Sequence, residues 1–257
     1  MIPKVIHYCW FGRNPKPDLM QRCIASWKKY CPDYEIIEWN EDNFDISQNN
    51  YAGEAYEEKK WAFVTDYARL WIIYNYGGIY LDTDVEVVKP FDDLLHDPCF
   101  FGFEDDASVN TGLGFGAEKE NLVVGTMLRD YDHIHFRLPD GILDTLPCPV
   151  RNTKAIATFL PEEYDGKMVL HTQYATFYTP DYFCPLSSDG LTMRKTKNTH
   201  SIHWFAATWL SPDEKIVHEY RIFRGKCEKH LGKCLGGYVA RFVYLFYPRK
   251  REVLKRM

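Results

Sequence analysis

Residues 61–78 constrain the fold of this chain more than any other stretch. From Trp61 to Tyr76 there is neither Pro nor Gly, and the segment reads as the clearest helix of the chain, apolar enough around Asp66 and Arg69 to leave that pair half-buried. Gly77 and Gly78 then stop it, because glycine takes the left-handed backbone of a helix end without steric cost. Residues 79–88 follow with no linker and carry the apolar, β-branched pattern of a strand. The Gly-Gly turn brings this helix straight to that strand. The start of the chain has the same order. A strand over 2–10 leads to a helix marked by Leu19, Cys23, Trp27 and Tyr30, closed by Cys31-Pro32-Asp33, and then to a strand over 34–39. Successive β-α-β units predict an α/β fold with a largely parallel sheet.

Farther on, strands are expected over 99–103, 109–116 and 201–205, and helices over 120–131, 212–231 and 236–247, while the Pro-rich residues 132–189 give no clear pattern. No repeat, low-complexity segment or linker divides the chain. Its 257 residues, 46% hydrophobic, suffice for one large domain, expected over 1–235, with 236–257 as an aromatic helix and basic tail. A net charge of -5 lacks the basic footprint that nucleic-acid binding needs. The eight cysteines form no C-x-x-C pair, and those within VIHYCW and DPCFFGF read as small buried hydrophobes. With no basic-then-apolar leader and no bilayer-length apolar run, a reducing cytoplasm is the expected location.

The chemistry concentrates at Asp82 and Asp84. On the strand expected from Ile79, side chains alternate, so Ile79 and Leu81 point to one face and Tyr80, Asp82 and Asp84 share the other. Two carboxylates so placed repel unless a cation lies between them, and a hard divalent ion such as Mn2+ or Mg2+ prefers such oxygens and can support a diphosphate leaving group. A solvated strand face with two chance acids is the competing reading. On the preceding helix Asp66 and Arg69 stand three residues apart among apolar neighbours. A buried pair of charges needs a reason that a surface pair does not.

The run AFVTDYARLWIIYNYGGIYLDTDVEVVKP resembles the signature of glycosyltransferases with a DXD-containing sugar-binding region, a group that includes capsular-polysaccharide transferases, yeast-type initiating α-mannosyltransferases and, more distantly, glucosylating bacterial toxins. IPKVIHYCWFG is similar to their first strand and SIHWFAATW to their late His-and-aromatic segment. The resemblance implies a GT-A-type α/β fold, a mixed, mainly parallel central sheet flanked by helices. It also implies retaining transfer of a hexose from a nucleotide-diphosphate sugar, a UDP-sugar favoured and GDP-mannose allowed, to a glycan or lipid-linked glycan. Trp10 would lie on the nucleotide base, Tyr80 would line the donor pocket and Trp209 would close over the diphosphate. Asp66 would bond donor hydroxyls, Arg69 would approach the sugar and phosphates, and Asn110 would stand near the transferred sugar. Asp82, Asp84 and His203 would bind the metal, Asp82 also touching the ribose. Relatives more often show His-His and Gly-Ser-Trp where this chain has His203-Trp204 and Ala207-Thr208-Trp209, so His203 stays open between ligand and core histidine. Asn110 stays open as a turn residue, and Glu104, Asp105 and Asp106 as acceptor-facing acids or plain loop.

Asp82-Thr83-Asp84 after an apolar strand also resembles the nucleophile motif of haloacid-dehalogenase-type phosphatases, but those carry it on their first strand and leave Asp66 and Arg69 without a role. A non-catalytic sugar-binding protein is a third reading. At the C-terminus, residues 236–247 hold an aromatic-aliphatic surface broken by Arg241 alone, and Arg249, Lys250, Arg251, Lys255 and Arg256 follow. Such a segment suits either reversible attachment to an anionic membrane, on the inner face in this reading, or packing on the domain with a solvated tail.

Overall fold

The computed structural model describes residues 1–104, 108–207, 210, 212–246 and 252–253. In chain order the elements are β1 (Val5–Cys9), α1 (Asp18–Tyr30), β2 (Glu35–Trp39), α2 (Asn50–Glu57), α3 (Trp61–Tyr76), β3 (Gly78–Tyr80), β4 (Val85–Val87), β5 (Cys99–Gly102), β6 (Phe115–Ala117), α4 (Leu122–Arg129), α5 (Cys148–Ala155), β7 (Leu170–His171), β8 (Thr176–Tyr178), α6 (Pro180–Phe183), β9 (Ser201–His203), α7 (Pro212–Leu231) and α8 (Lys233–Leu245). They fall into two compact units, Met1–Pro185 with Lys195–Trp204, and Leu186–Arg194 with Phe205–Met257. The expected start of an appendage at residue 236 lies inside α8.

The first unit is the expected α/β body. Its seven-stranded sheet runs β2-β1-β3-β6-β5-β8-β7. β1 is parallel to both β2 and β3, β6 is antiparallel to β3 and β5, β8 is parallel to β5, and β7 is antiparallel to β8. α3 is the hub of the core. Phe63, Val64, Tyr67, Ala68, Leu70, Ile72 and Ile73 are all buried, and the helix packs on β1, α2 and α4. Burial on nearly every side is what its all-round apolar sequence demands. On the far half of the sheet Phe101 stacks on Phe115 and Phe177 at 5.7 and 5.6 Å.

Gly77 and Gly78 have φ of +68° and +101°. A Cβ on Gly78 would come within 2.8 Å of the Val5 carbonyl, so glycine is required there for conformation and for clearance. His7 locks the same turn from beneath. Its Nε2–H donates to the Gly77 carbonyl at 3.0 Å, and its Nδ1 accepts from Trp39 Nε1 at 3.1 Å.

The strand expected over 79–88 is two strands in two sheets. β3 ends at Tyr80, and β4 pairs antiparallel with β9 in a separate ribbon. Between them Asp82 N–H donates to the Gly112 carbonyl at 3.2 Å and Val85 N–H to the Asp82 carbonyl at 3.0 Å. These bonds take the backbone out of the ladder, so the acidic pair sits on a turn and the strict alternation of faces does not apply. The strand expected over 109–116 contracts likewise to a single bridge at Val109 and to β6. Residues 120–131 divide into α4 and a short 3-10 turn over 130–133, and the unparsed stretch supplies α5, β7, β8 and α6.

The second unit holds a helical hairpin. α7 and α8 are joined at Gly232, φ +78°, and Gly236 lets the backbones meet, since a Cβ there would lie 2.4 Å from the Glu228 nitrogen. Tyr244 meets Tyr220 at 4.9 Å between ring centres. None of the eight cysteines is bonded to another; six are buried, Cys227 is partly exposed and Cys234 exposed. Among the described residues no helix is long and apolar enough to cross a membrane.

Candidate metal and donor centre

The turn between β3 and β4 carries Asp82 and Asp84, and contacts from α1 and β9 set it in place. α1 holds β4: Trp27 Nε1 donates to the Val85 carbonyl at 2.7 Å, and Val87 N–H donates to Ser26 Oγ at 2.9 Å. β9 lies antiparallel to β4 with His203 opposite Val85, which delivers the imidazole to the neighbouring Asp84. His203 Nε2 stands 3.3 Å from Asp84 Oδ1, and Trp204 N–H bonds the Asp84 carbonyl at 3.1 Å. One donor atom each from Asp82, Asp84 and His203 lies within 4.8 Å of the other two.

Arg69 ties this group to α3. Its Nη2 is 3.1 Å from Asp66 Oδ1 and 3.2 Å from Asp82 Oδ1, so one buried guanidinium bridges two carboxylates. The cation lies over the Tyr80 ring at 5.1 Å, and the Tyr80 hydroxyl donates to Asp82 Oδ1 at 3.0 Å. On its other side Arg69 Nη1 donates to Thr111 Oγ1 at 3.4 Å and to Cys148 Sγ at 3.5 Å, while Asn152 Nδ2 donates to the same two acceptors at 3.0 and 3.3 Å. The helix pair that sequence reading left between surface and interior is therefore interior. Asp66 is buried and the Arg69 side chain is only 5% exposed.

Burial pushes the Asp66 carboxyl up to about 6, against the downward pull of Arg69. Burial also raises Asp82, again with Arg69 opposing. For His203 burial is the largest influence and works to lower the pKa, but the carboxylates of Asp84, Asp82 and Glu104 together outweigh it and the net shift is upward. The shifts describe carboxylates taken out of water and held beside one guanidinium and one imidazole. Two carboxylates and an imidazole within 4.8 Å of one another fit Mn2+ or Mg2+ by donor type. His203 must be neutral to ligate, so metal and proton compete there.

Gly112 and Asn110 belong to a second loop that holds Asp82. A Cβ on Gly112 would lie 2.2 Å from Asp82 Oδ2, so the carboxylate fills the place of the missing side chain. Asn110 Oδ1 accepts from Gly112 N–H at 2.7 Å and its Nδ2 donates to Glu104 Oε1 at 2.7 Å. The amide thus organises the loop whose Gly112 carbonyl holds Asp82. Trp10 extends past β1, and its indole N–H donates to the Asn14 carbonyl at 2.6 Å. Trp209, expected over the diphosphate, and Asp105 and Asp106 lie outside the described residues. Sequence reading missed Thr111, Gly112, Cys148 and Asn152. The only signal was the spacing of Cys148 and Asn152, which places two polar groups one turn apart on a short helix.

The family profile described as a glycosyltransferase sugar-binding region containing a DXD motif matches residues 17–101, which run from α1 into β5 and include Asp82 and Asp84. Inositol phosphoceramide mannosyltransferase 3 of Schizosaccharomyces pombe is 30% identical over 119 residues, 44% of this chain and 33% of that protein. Inositol phosphoceramide mannosyltransferase 1 of the same yeast is 32% identical over 110 residues, 38% of this chain and 33% of that protein. The matched segment thus spans about a third of the length of each relative. Among solved structures, the PaToxG glycosyltransferase superposes with a TM-score of 0.49 at 19% identity, over 62% of this chain and 70% of that one.

Proposed function

From a chain that carries the sugar-binding region of DXD glycosyltransferases, we propose a divalent-metal-dependent, retaining hexosyltransferase that takes a nucleotide-diphosphate sugar and a glycan or lipid-linked glycan acceptor. The observation that carries the proposal is the meeting of Asp82, Asp84 and His203 within 4.8 Å, backed by Arg69 bridging Asp66 and Asp82. UDP-sugars are the donors favoured by sequence. The names of the two fission-yeast relatives add weight to GDP-mannose.

A bound Mn2+ or Mg2+ would supply Lewis-acid neutralisation of the departing diphosphate. The chain's own groups prepare that event. Arg69 and the Tyr80 hydroxyl fix Asp82 in one rotamer, so no reorganisation is needed as charge develops. Asp66, Tyr80 and Trp10 take the ribose, sugar and base contacts, and Asn110 sets the loop beside the transferred sugar. In the front-face course we favour, the acceptor oxygen bonds to the anomeric carbon on the side from which the diphosphate leaves. The acceptor proton passes to the leaving phosphate oxygen, so no protein nucleophile is required. A lipid-linked acceptor would bring the enzyme to a membrane, at its cytoplasmic face in this reading. The phosphatase alternative needs Asp82 as an open nucleophile, and its Oδ1 is held by Arg69 and Tyr80.

A panel of nucleotide sugars read by Mn-dependent donor hydrolysis and by thermal shift tests the proposal. One donor should be hydrolysed and should stabilise the fold, EDTA should abolish turnover, and Mn2+ should restore it better than Ca2+. Asp84→Ala should remove turnover and leave the melting temperature near that of the wild type. Full activity in EDTA would end the metal-dependent reading, and stabilisation by a donor that is never turned over would favour the binding protein.

A further inference from the structure

α8 carries apolar side chains on two opposite faces. Gly236, Ala240 and Tyr244 turn inward and are buried, Tyr244 against Tyr220 and Phe223 of α7. At the same helical spacing Leu235, Tyr238, Phe242 and, at the end of the helix, Phe246 point outward, exposed by 56%, 76%, 61% and 69%. The Phe242 and Phe246 rings meet edge to face at 5.1 Å, so the outward stripe is continuous across its last turn. Four large side chains so exposed leave roughly 500 Å² of apolar surface in water, a patch of the size that marks a contact site.

The charge around the stripe says what covers it. Residues 205–257 hold twelve Lys and Arg against five Asp and Glu, a surplus of seven positive charges in a chain whose net charge is -5. The remainder of the protein is therefore strongly acidic, and the positive charge is segregated onto the segment that bears the apolar stripe. A second copy docked segment to segment would bring the same surplus and be repelled. An apolar groove in a neutral partner would have no use for the charge. An anionic bilayer answers both features, with acyl chains for the stripe and lipid phosphates for the cations.

We infer that α8 lies in the headgroup region of an anionic membrane, its axis along the surface, with Leu235, Tyr238, Phe242 and Phe246 reaching the acyl boundary. The basic residues of the segment rest on lipid phosphates, and the attraction is electrostatic enough to be weakened by salt. This names the surface behind the peripheral-membrane reading given above, and its test needs no turnover.

The experiment is co-sedimentation of the full chain with phosphatidylcholine vesicles, with and without phosphatidylserine. The wild type should sediment with the acidic vesicles only, and less at high salt. Y238S/F242S should bind about tenfold more weakly or worse, with an unchanged far-UV circular dichroism spectrum because both positions face outward. R249E/K250E/R251E should lose the preference for acidic lipid. Asp84→Ala should sediment like the wild type, which separates failure here from failure of the transferase reading. Three results overturn the inference: a wild type left in the supernatant at low salt, Y238S/F242S binding as well as the wild type, or a concentration-dependent dimer that Y238S/F242S dissolves.

Discussion

Gly112→Ala puts the candidate centre to its sharpest test, because the substitution adds one carbon at one known place. That carbon would stand 2.2 Å from Asp82 Oδ2, 3.1 Å from Asp82 Cγ and 3.0 Å from Asn110 Oδ1. Carbon and oxygen without a hydrogen bond settle at about 3.3 Å or more, so the carboxylate must retreat by roughly 1 Å. Gly112 does not have the left-handed φ that only glycine tolerates well, so the backbone itself accepts alanine. The movement falls on a side-chain end, and the cost falls on what that end holds. A displaced Asp82 loses its 3.2 Å contact to Arg69 and its 3.0 Å bond from Tyr80, and it leaves the cluster shared with Asp84 and His203. Misplacing a supported metal ligand typically weakens metal binding about 10- to 100-fold. Global stability should change by no more than about 1–2 kcal/mol, since a charge-assisted bond is lost while alanine restrains the unfolded chain. Mn2+ binding followed by calorimetry or by electron paramagnetic resonance, beside a urea melt of the same protein, reads the two effects separately. A Gly112→Ala protein that binds Mn2+ as tightly as the wild type would refute the placement of Asp82 in the metal site.

Arg69→Lys keeps the charge but cannot span Asp66 and Asp82 with one planar fork, so donor turnover should fall by about tenfold or more; wild-type turnover would reduce Arg69 to a structural ion-pair partner. His7 gives a pH prediction. Burial lowers its pKa to about 4 from an ordinary 6.5. The unfolded chain therefore takes up the proton first, so the contribution to stability is complete above 6.5 and disappears as the pH falls toward 4. The span corresponds to about 3 kcal/mol. Urea midpoints of wild type and His7→Gln measured at neutral pH and near pH 4.5 should converge toward acid, and a constant difference would contradict the buried neutral imidazole.

Local sequence was enough for the elements whose causes are local. The helix α3, its Gly77-Gly78 stop and the opening β-α-β were legible because each is set by local propensity, a positive φ or the spacing of a few residues. The candidate centre was legible only as a set of residue types. Asp82 and Asp84 offered a candidate cation site, and Asp66 with Arg69 announced buried charge, but the strand assigned to the acids was wrong because both halves of residues 79–88 are equally apolar. The bond from Asp82 N–H to the Gly112 carbonyl, thirty residues away, is what turns the chain there.

The sequence by itself determined an α/β chain with an acidic pair delivered by a buried helix and a positively charged, aromatic C-terminal segment. The tertiary structure alone decided that His203 joins Asp84, that Arg69 bridges Asp66 to Asp82, and that Thr111, Gly112, Cys148 and Asn152 complete the wall around them. It also decided which face of α8 stays in water. The physical reason is the same in each case. A helix or a turn is selected by energies acting over a few residues, whereas these groups meet across long separations in the chain. Their partners are chosen by strand order and packing, which no single stretch of sequence contains.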